Sequence, residues 1–103
     1  MANPQRGKVA LVTDRGEMAL RLTLGALAAL EARLDTKGLV GVAERFESGA
    51  YGAGDLIALL TAGMRGGGAE VTEAEVAEMS FDGGAVAAAN AAARLLQLTF
   101  RGM

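Results

Sequence analysis

Residues 18–34, MALRLTLGALAALEARL, contain the change of period that decides the fold. Met18, Leu20 and Leu22 alternate with Ala19, Arg21 and Thr23, the two-residue rhythm of a strand with one buried face. From Leu24 the rhythm becomes helical, with Leu27, Leu30 and Leu34 recurring at the three-and-four spacing of a helix face. Thr23 stands at the switch, where its hydroxyl can cap the free N–H groups of the first helical turn. A strand therefore runs into a helix with no linker between them. None of these side chains carries chemistry, so the segment specifies a framework and function must come from elsewhere.

Upstream, Lys8 to Thr13 (KVALVT) is apolar and β-branched, and Asp14-Arg15-Gly16-Glu17 supplies a tight polar turn in which Gly16 is free to take positive φ. With the strand Met18–Leu22 this predicts a β-hairpin. A lone hairpin is marginal in water, so it must rest on helices or pair with another chain. Residues 1–7 (MANPQRG) are polar, hold the only proline and read as a mobile lead-in.

Downstream, helices are predicted at 24–34, 39–47, 55–65, 73–79 and 85–100. Leu39, Val42, Ala43 and Phe46 mark one face of the second, and Leu56, Leu59, Leu60 and Met64 mark one face of the third. Asp55 suits the start of that third helix. Gly66-Gly67-Gly68 ends it and also reads as a flexible connector that lets the last two helices move. Thr72 and Glu75 have capping-box spacing, with Val71 and Val76 as a hydrophobic staple. Ser80 to Gly84 (SFDGG) turns the chain into an alanine-rich final helix with a stripe of Val86, Ala89, Ala93, Leu96 and Phe100. The fold class is α+β, mostly α: an N-terminal β-hairpin followed by four to five short helices. A length of 103 residues predicts one domain, placed at 8–103.

Composition sets limits on function. Apolar residues make up 51% but aromatics only 4%, so leucine, valine, methionine and alanine must build the core. Alanine buries little area, and burial stabilises by about 25 cal/mol per Å². Modest monomer stability, raised by self-association into a homo-oligomer, is the expectation. Net charge is −2 with no basic cluster, which leaves nucleic acid without an electrostatic attractor. Cysteine and histidine are absent, which excludes disulfides, thiol catalysis, haem ligation and zinc sites built from those residues. No apolar run approaches the ~20 residues that cross a bilayer. With Met1 at the head and no signal-peptide core, the sequence predicts a complete, unprocessed cytoplasmic product.

The remaining candidates for chemistry each have an ordinary explanation. The loop at 49–54 (GAYGAG) resembles a phosphate cradle, but a helix precedes it instead of a strand and it has no lysine, so it reads as a helix connection. Glu70, Glu73, Glu75 and Glu78 form an acidic patch without the spacing of a calcium loop, which fits a solvated helix face. Glu31 beside the apolar face of the first helix predicts a salt bridge to Arg33, Arg45 or Arg94. Asn90 is either solvent-facing or a polar contact that fixes helix register. The serines and threonines have no histidine to activate them. No catalytic residue, metal site or cofactor site is expected, and the chain does not read as an enzyme.

The order Arg6-Gly7-x-Val9, hairpin, LRLTLGALAALEARL at 20–34 resembles the gene transfer agent and phage-like small tail protein family. RFESG at 45–49, GDLIALLTAGMRGGG at 54–68, VTEAEVAEM at 71–79 and the alanine-rich last helix continue the likeness across residues 6–100. The resemblance implies a tail assembly chaperone that binds the tape-measure protein, shields its apolar helices and recruits tail-tube subunits. It also implies an alternative, a structural subunit associated with the tail tube itself. A chaperone of this kind needs an apolar groove with flexible side chains. Met64, Met79, Leu95, Leu96 and Phe100 are the residues expected to line it, unless they serve as ordinary core.

Overall fold

Alternation in the first arms of the chain becomes an antiparallel pair. The structure is a computed structural model that describes residues 8–36 and 38–101; the lead-in expected at 1–7 lies outside them. Strand β1 (Lys8–Thr13) pairs with β2 (Gly16–Arg21), from Lys8 opposite Arg21 to Thr13 opposite Gly16. Gly16 takes φ 101°, while Asp14 and Arg15 keep to the ordinary side. The Thr13 hydroxyl locks this turn, donating to the Gly16 carbonyl and accepting from the Arg15 N–H, both at 3.0 Å. Pairing thus runs two residues further into the turn than alternation from Met18 predicts. Val9, Leu11 and Leu20 are buried on one face, whereas Ala10, Glu17, Ala19 and Arg21 are exposed on the other.

Helix α1 (Leu24–Leu34) begins where the period changes. The Thr23 hydroxyl accepts from the Ala26 N–H at 3.0 Å, so the cap forms as the sequence predicts. Leu27, Leu30 and Leu34 are all buried. Asp35 ends the helix in the left-handed region, φ 54°, a conformation that a short polar side chain tolerates better than a branched one. Four more helices follow among the described residues: α2 (Gly38–Glu47), α3 (Ala53–Gly66), α4 (Glu73–Ala77) and α5 (Gly84–Arg101). The predicted capping box opens α4: Thr72 accepts from the Glu75 N–H at 3.1 Å and Glu75 accepts from the Thr72 N–H at 3.0 Å.

Helix α3 is the centre of the molecule. It packs against α1, α4, α5 and β2, and every residue from Ala58 to Met64 is buried. The sequence stripe of Leu56, Leu59, Leu60 and Met64 describes only one of its faces. The remaining positions, Ala58, Thr61, Ala62 and Gly63, are small and uncharged, which allows burial all round. Thr61 satisfies its hydroxyl within the helix by donating to the Ile57 carbonyl at 2.7 Å. Gly63 lies where a Cβ would come within 2.9 Å of Leu95 Cδ2 and 3.4 Å of Leu20 Cβ.

The glycine triplet does more than stop the helix. A Cβ on Gly66 would fall on the carbonyl oxygen of Arg21, and one on Gly67 would fall on that of Ala19. The end of α3 therefore lies directly on the β2 backbone, along the edge that β1 does not use. Gly68 then takes φ 105°. Its N–H donates to the Arg65 carbonyl (3.0 Å) and that of Ala69 to Met64 (2.9 Å), the bond pair of a Schellman stop. Arg65 Nε donates to the Val71 carbonyl at 2.7 Å and holds the following loop. The flexible-connector reading of 66–68 is corrected: two of the three glycines are fixed by close packing.

Two further differences from the sequence reading concern the C-terminal half. The stripe predicted for α5 is rotated by nearly one residue, since Ala88, Ala92, Leu95 and Leu96 are buried while Val86 is 71% exposed. The alanine run carries no hydrophobic gradient of its own, so the fit of Leu95 against Gly63 sets the phase. The turn at Ser80–Asp82 also extends the sheet. Asp14 N–H donates to the Ser80 carbonyl and Asp82 N–H to the Val12 carbonyl, both at 2.9 Å, and Thr13 bridges to Phe81. Three residues are too few to show a period.

Replacing Gly66 or Gly67 by alanine is expected to destabilise the protein by about 3 kcal/mol, because a rigid backbone cannot yield to the added methyl group. Gly68→Ala meets open space and only left-handed strain, which costs about 1–2 kcal/mol. Urea denaturation of the three variants checks this order.

Candidate functional site

Polar side chains in this protein act mainly as tethers between elements. Arg33 of α1 grips Glu73 at the start of α4 through Nε (3.0 and 3.2 Å) and Nη2 (3.1 Å). Arg15 in the hairpin turn reaches Glu75 at 3.1 Å. Asp14 Oδ1 accepts from the Ser80 N–H at 3.2 Å. Two acids of the predicted solvated patch are therefore used to tie α4 to α1 and to the hairpin. Glu31 takes part in none of the three ion pairs among the described residues, and Arg33 and Arg45 have other partners. Its predicted salt bridge is not formed. Asn90 is exposed, in agreement with the solvent-facing reading.

The third ion pair joins α2 to the start of α3. Arg45 donates to both Asp55 oxygens, at 3.1 and 3.3 Å, and through Nη1 to the Leu34 carbonyl at 3.4 Å. Asp55 also accepts from the Gly52 N–H at 3.2 Å. The Arg45 guanidinium, and with it this backbone bond, holds the Asp55 carboxyl below its ordinary value, against the opposing effect of burial. Bonds to the Thr72 backbone and to Arg15 lower the Glu75 carboxyl in the same way. A carboxylate neutralised by arginine thus sits where a phosphate would have to bind at the N-terminus of α3. The 49–54 loop is a helix connection in which Tyr51 packs on Phe46, ring centres 5.0 Å apart.

Two of the surface clefts formed by the described residues are lined mainly by apolar side chains. The larger, about 480 Å³, lies between α2 and the second half of α5. Ala43 and Phe46 form one wall, Ala93, Leu96 and Phe100 the other, with Glu47 and Arg101 at its rim. The second, about 390 Å³, is bounded by α3, α4 and the start of α5, and includes Leu56, Met79 and Phe81. The expected groove residues are divided among three places. Leu96 and Phe100 line the first cleft and Met79 the second, while Met64 and Leu95 are fully buried and line neither. Sequence reasoning did not include the α2 wall in the groove. The signal available was Phe46, one of only three phenylalanines, on the apolar face of a short helix. Among the described residues no group of three or more acidic side chains is close enough to hold a metal ion. No described helix is long and apolar enough to cross a membrane.

These features define a small, mostly helical α+β protein whose hairpin is seated on a buried central helix, with apolar clefts as its most prominent surfaces. The chain belongs to the family described as phage tail tube protein, GTA-gp10, which matches residues 6–102. Neither the curated proteins nor the solved structures contain a significant match. The family match places the chain among phage-like tail proteins, in line with the resemblance carried by residues 20–34.

Asp55→Asn keeps an acceptor for Gly52 and removes the charge facing Arg45. The expected cost is about 1 kcal/mol at neutral pH for this part-exposed pair. A carboxyl lowered by folding contributes fully above its unfolded value, and that contribution is lost as pH falls through the folded value. The stability curves of wild type and variant should therefore converge in acid below about pH 4. Denaturation across pH checks this; parallel curves throughout would contradict it.

Proposed function

We propose that the protein is a structural, tube-associated tail subunit of a gene transfer agent or prophage particle, and that it performs no catalysis. The family match over nearly the whole chain carries this reading. It favours the tube-associated subunit over the assembly chaperone that the sequence put first.

The hairpin offers a physical route to such assembly. In an antiparallel pair both backbone groups of a residue point to the same side. Val12 accepts from Asp82 on the side away from β2, so Ala10, two residues earlier, also directs its N–H and C=O away from β2. Among the described residues no segment pairs there. An open edge of this kind is a template for strand pairing with another chain. We read it as a contact between copies, with homo-oligomeric rings as the assembly. The edge of β2 is unsuited to this, because the end of α3 occupies it.

The second reading, a chaperone that binds the tape-measure protein, is favoured by one observation. Among the described residues the sheet has two six-residue strands, little for a tube wall, whereas the clefts between α2 and α5 and beside α4 are apolar and suit helices. The two readings separate cleanly. Mass spectrometry of purified particles should find the protein at a stoichiometry matching a ring component. Its absence from finished particles, together with co-purification with the tape-measure protein on co-expression, would overturn the subunit reading.

A further inference from the structure

The exposed charges beside the α2–α5 cleft are segregated by sign. On α2 they are acids, Glu44 and Glu47, one turn apart; on α5 they are bases, Arg94 and Arg101, two turns apart. Glu47 and Arg101 line the cleft itself. None of the four belongs to an ion pair among the described residues. Elsewhere the acids behave differently, since Glu73, Glu75 and Asp55 each meet an arginine of another element.

The surface between the two charged sides is apolar. Its floor is filled, because Leu96 is buried and Phe46 packs on Tyr51. Above that floor Ala93 is exposed, Ala43 and Phe100 are half-buried, and Val40 is 70% exposed. Val40, Ala43 and Glu47 follow the spacing of one side of α2, and Ala93, Gln97 and Phe100 that of one side of α5.

A face with acid on one side, base on the other and apolar residues between is complementary to itself. A two-fold axis running along the cleft exchanges the two sides, so α2 of each copy lies over α5 of the other. Acid then meets base twice, and the apolar strip between them leaves water. The alternative stacking, α5 on α5, brings four arginines together with no acid from that helix, whose only charges are Arg94 and Arg101.

We propose that this face is where two copies of the chain pair about such an axis, Glu44 and Glu47 of each against Arg94 and Arg101 of the other. The contact is separate from the β1 edge and does not depend on the tail reading. Because it is isologous it closes at two copies, and a ring needs a second surface in addition.

Analytical ultracentrifugation of the full-length chain tests this. Wild type is expected to form a dimer whose dissociation constant rises with salt. Glu47→Arg and Arg101→Glu should each weaken it by about tenfold, as two exposed ion pairs are lost per dimer. Mixing the two single variants sets opposite charges together again at both contacts, so a mixed dimer should form with near wild-type affinity. Circular dichroism verifies that each variant is folded. A chain that stays monomeric at millimolar concentration would overturn the proposal. So would a dimer that neither reversal weakens, which points to the β1 edge, or a loss that mixing fails to restore.

Discussion

The contact between the end of α3 and the backbone of β2 is the constraint on which the rest of the structure depends. Gly66 and Gly67 bring helix backbone against the carbonyls of Arg21 and Ala19, an approach that no side chain permits. Gly63, one turn earlier, lets Leu95 of α5 and Leu20 of β2 meet over the same helix. Because Thr23 starts α1 within two residues of β2, fixing β2 on α3 also fixes the entry of α1. A marginal hairpin thereby gains the support it lacks alone.

The same contact gives the molecule two unequal sheet edges and two levels of rigidity. One edge is filled by a helix terminus. The other, on β1, is met at Thr13 by the bridge to Phe81, and among the described residues no segment pairs with the stretch around Ala10. Around α3 the packing is dense, and Arg33–Glu73 and Arg15–Glu75 pin α4 to α1 and to the hairpin. Helix α2 lies outside this arrangement. Among the described residues it has one fully buried residue and one cross-element ion pair, so its local stability must be lower.

Much of the fold was legible in the residues because local signals and tertiary packing agree. Thr23, Thr72 with Glu75, and the leucines of α1 each act as their spacing predicts. Elsewhere the deciding information lay in contacts distant in sequence. The phase of α5 depends on Gly63 fitting Leu95, which an alanine run cannot reveal. The glycine triplet reads locally as a flexible stop, and only the position of β2 shows why two of its members must lack a side chain. Burial all round α3 had its own signal beside the leucine stripe, the uncharged run from Leu56 to Met64. Of the residues expected to form a groove, Leu96 and Phe100 share a cleft; Met64 and Leu95 are held in the core by the central helix. The family resemblance was legible in residues 20–34, and the choice between tube subunit and chaperone was not, since neither function has a motif with its own chemistry.

Amide hydrogen exchange tests the central claim most directly. If the α3–β2 contact holds the molecule together, the amides of Leu59–Gly67 and of Ala19–Arg21 should exchange last and together, at the rate of global unfolding. Those of α2 should exchange far earlier, through local opening. Early exchange at the end of α3, with α2 as protected as the core, would contradict the account.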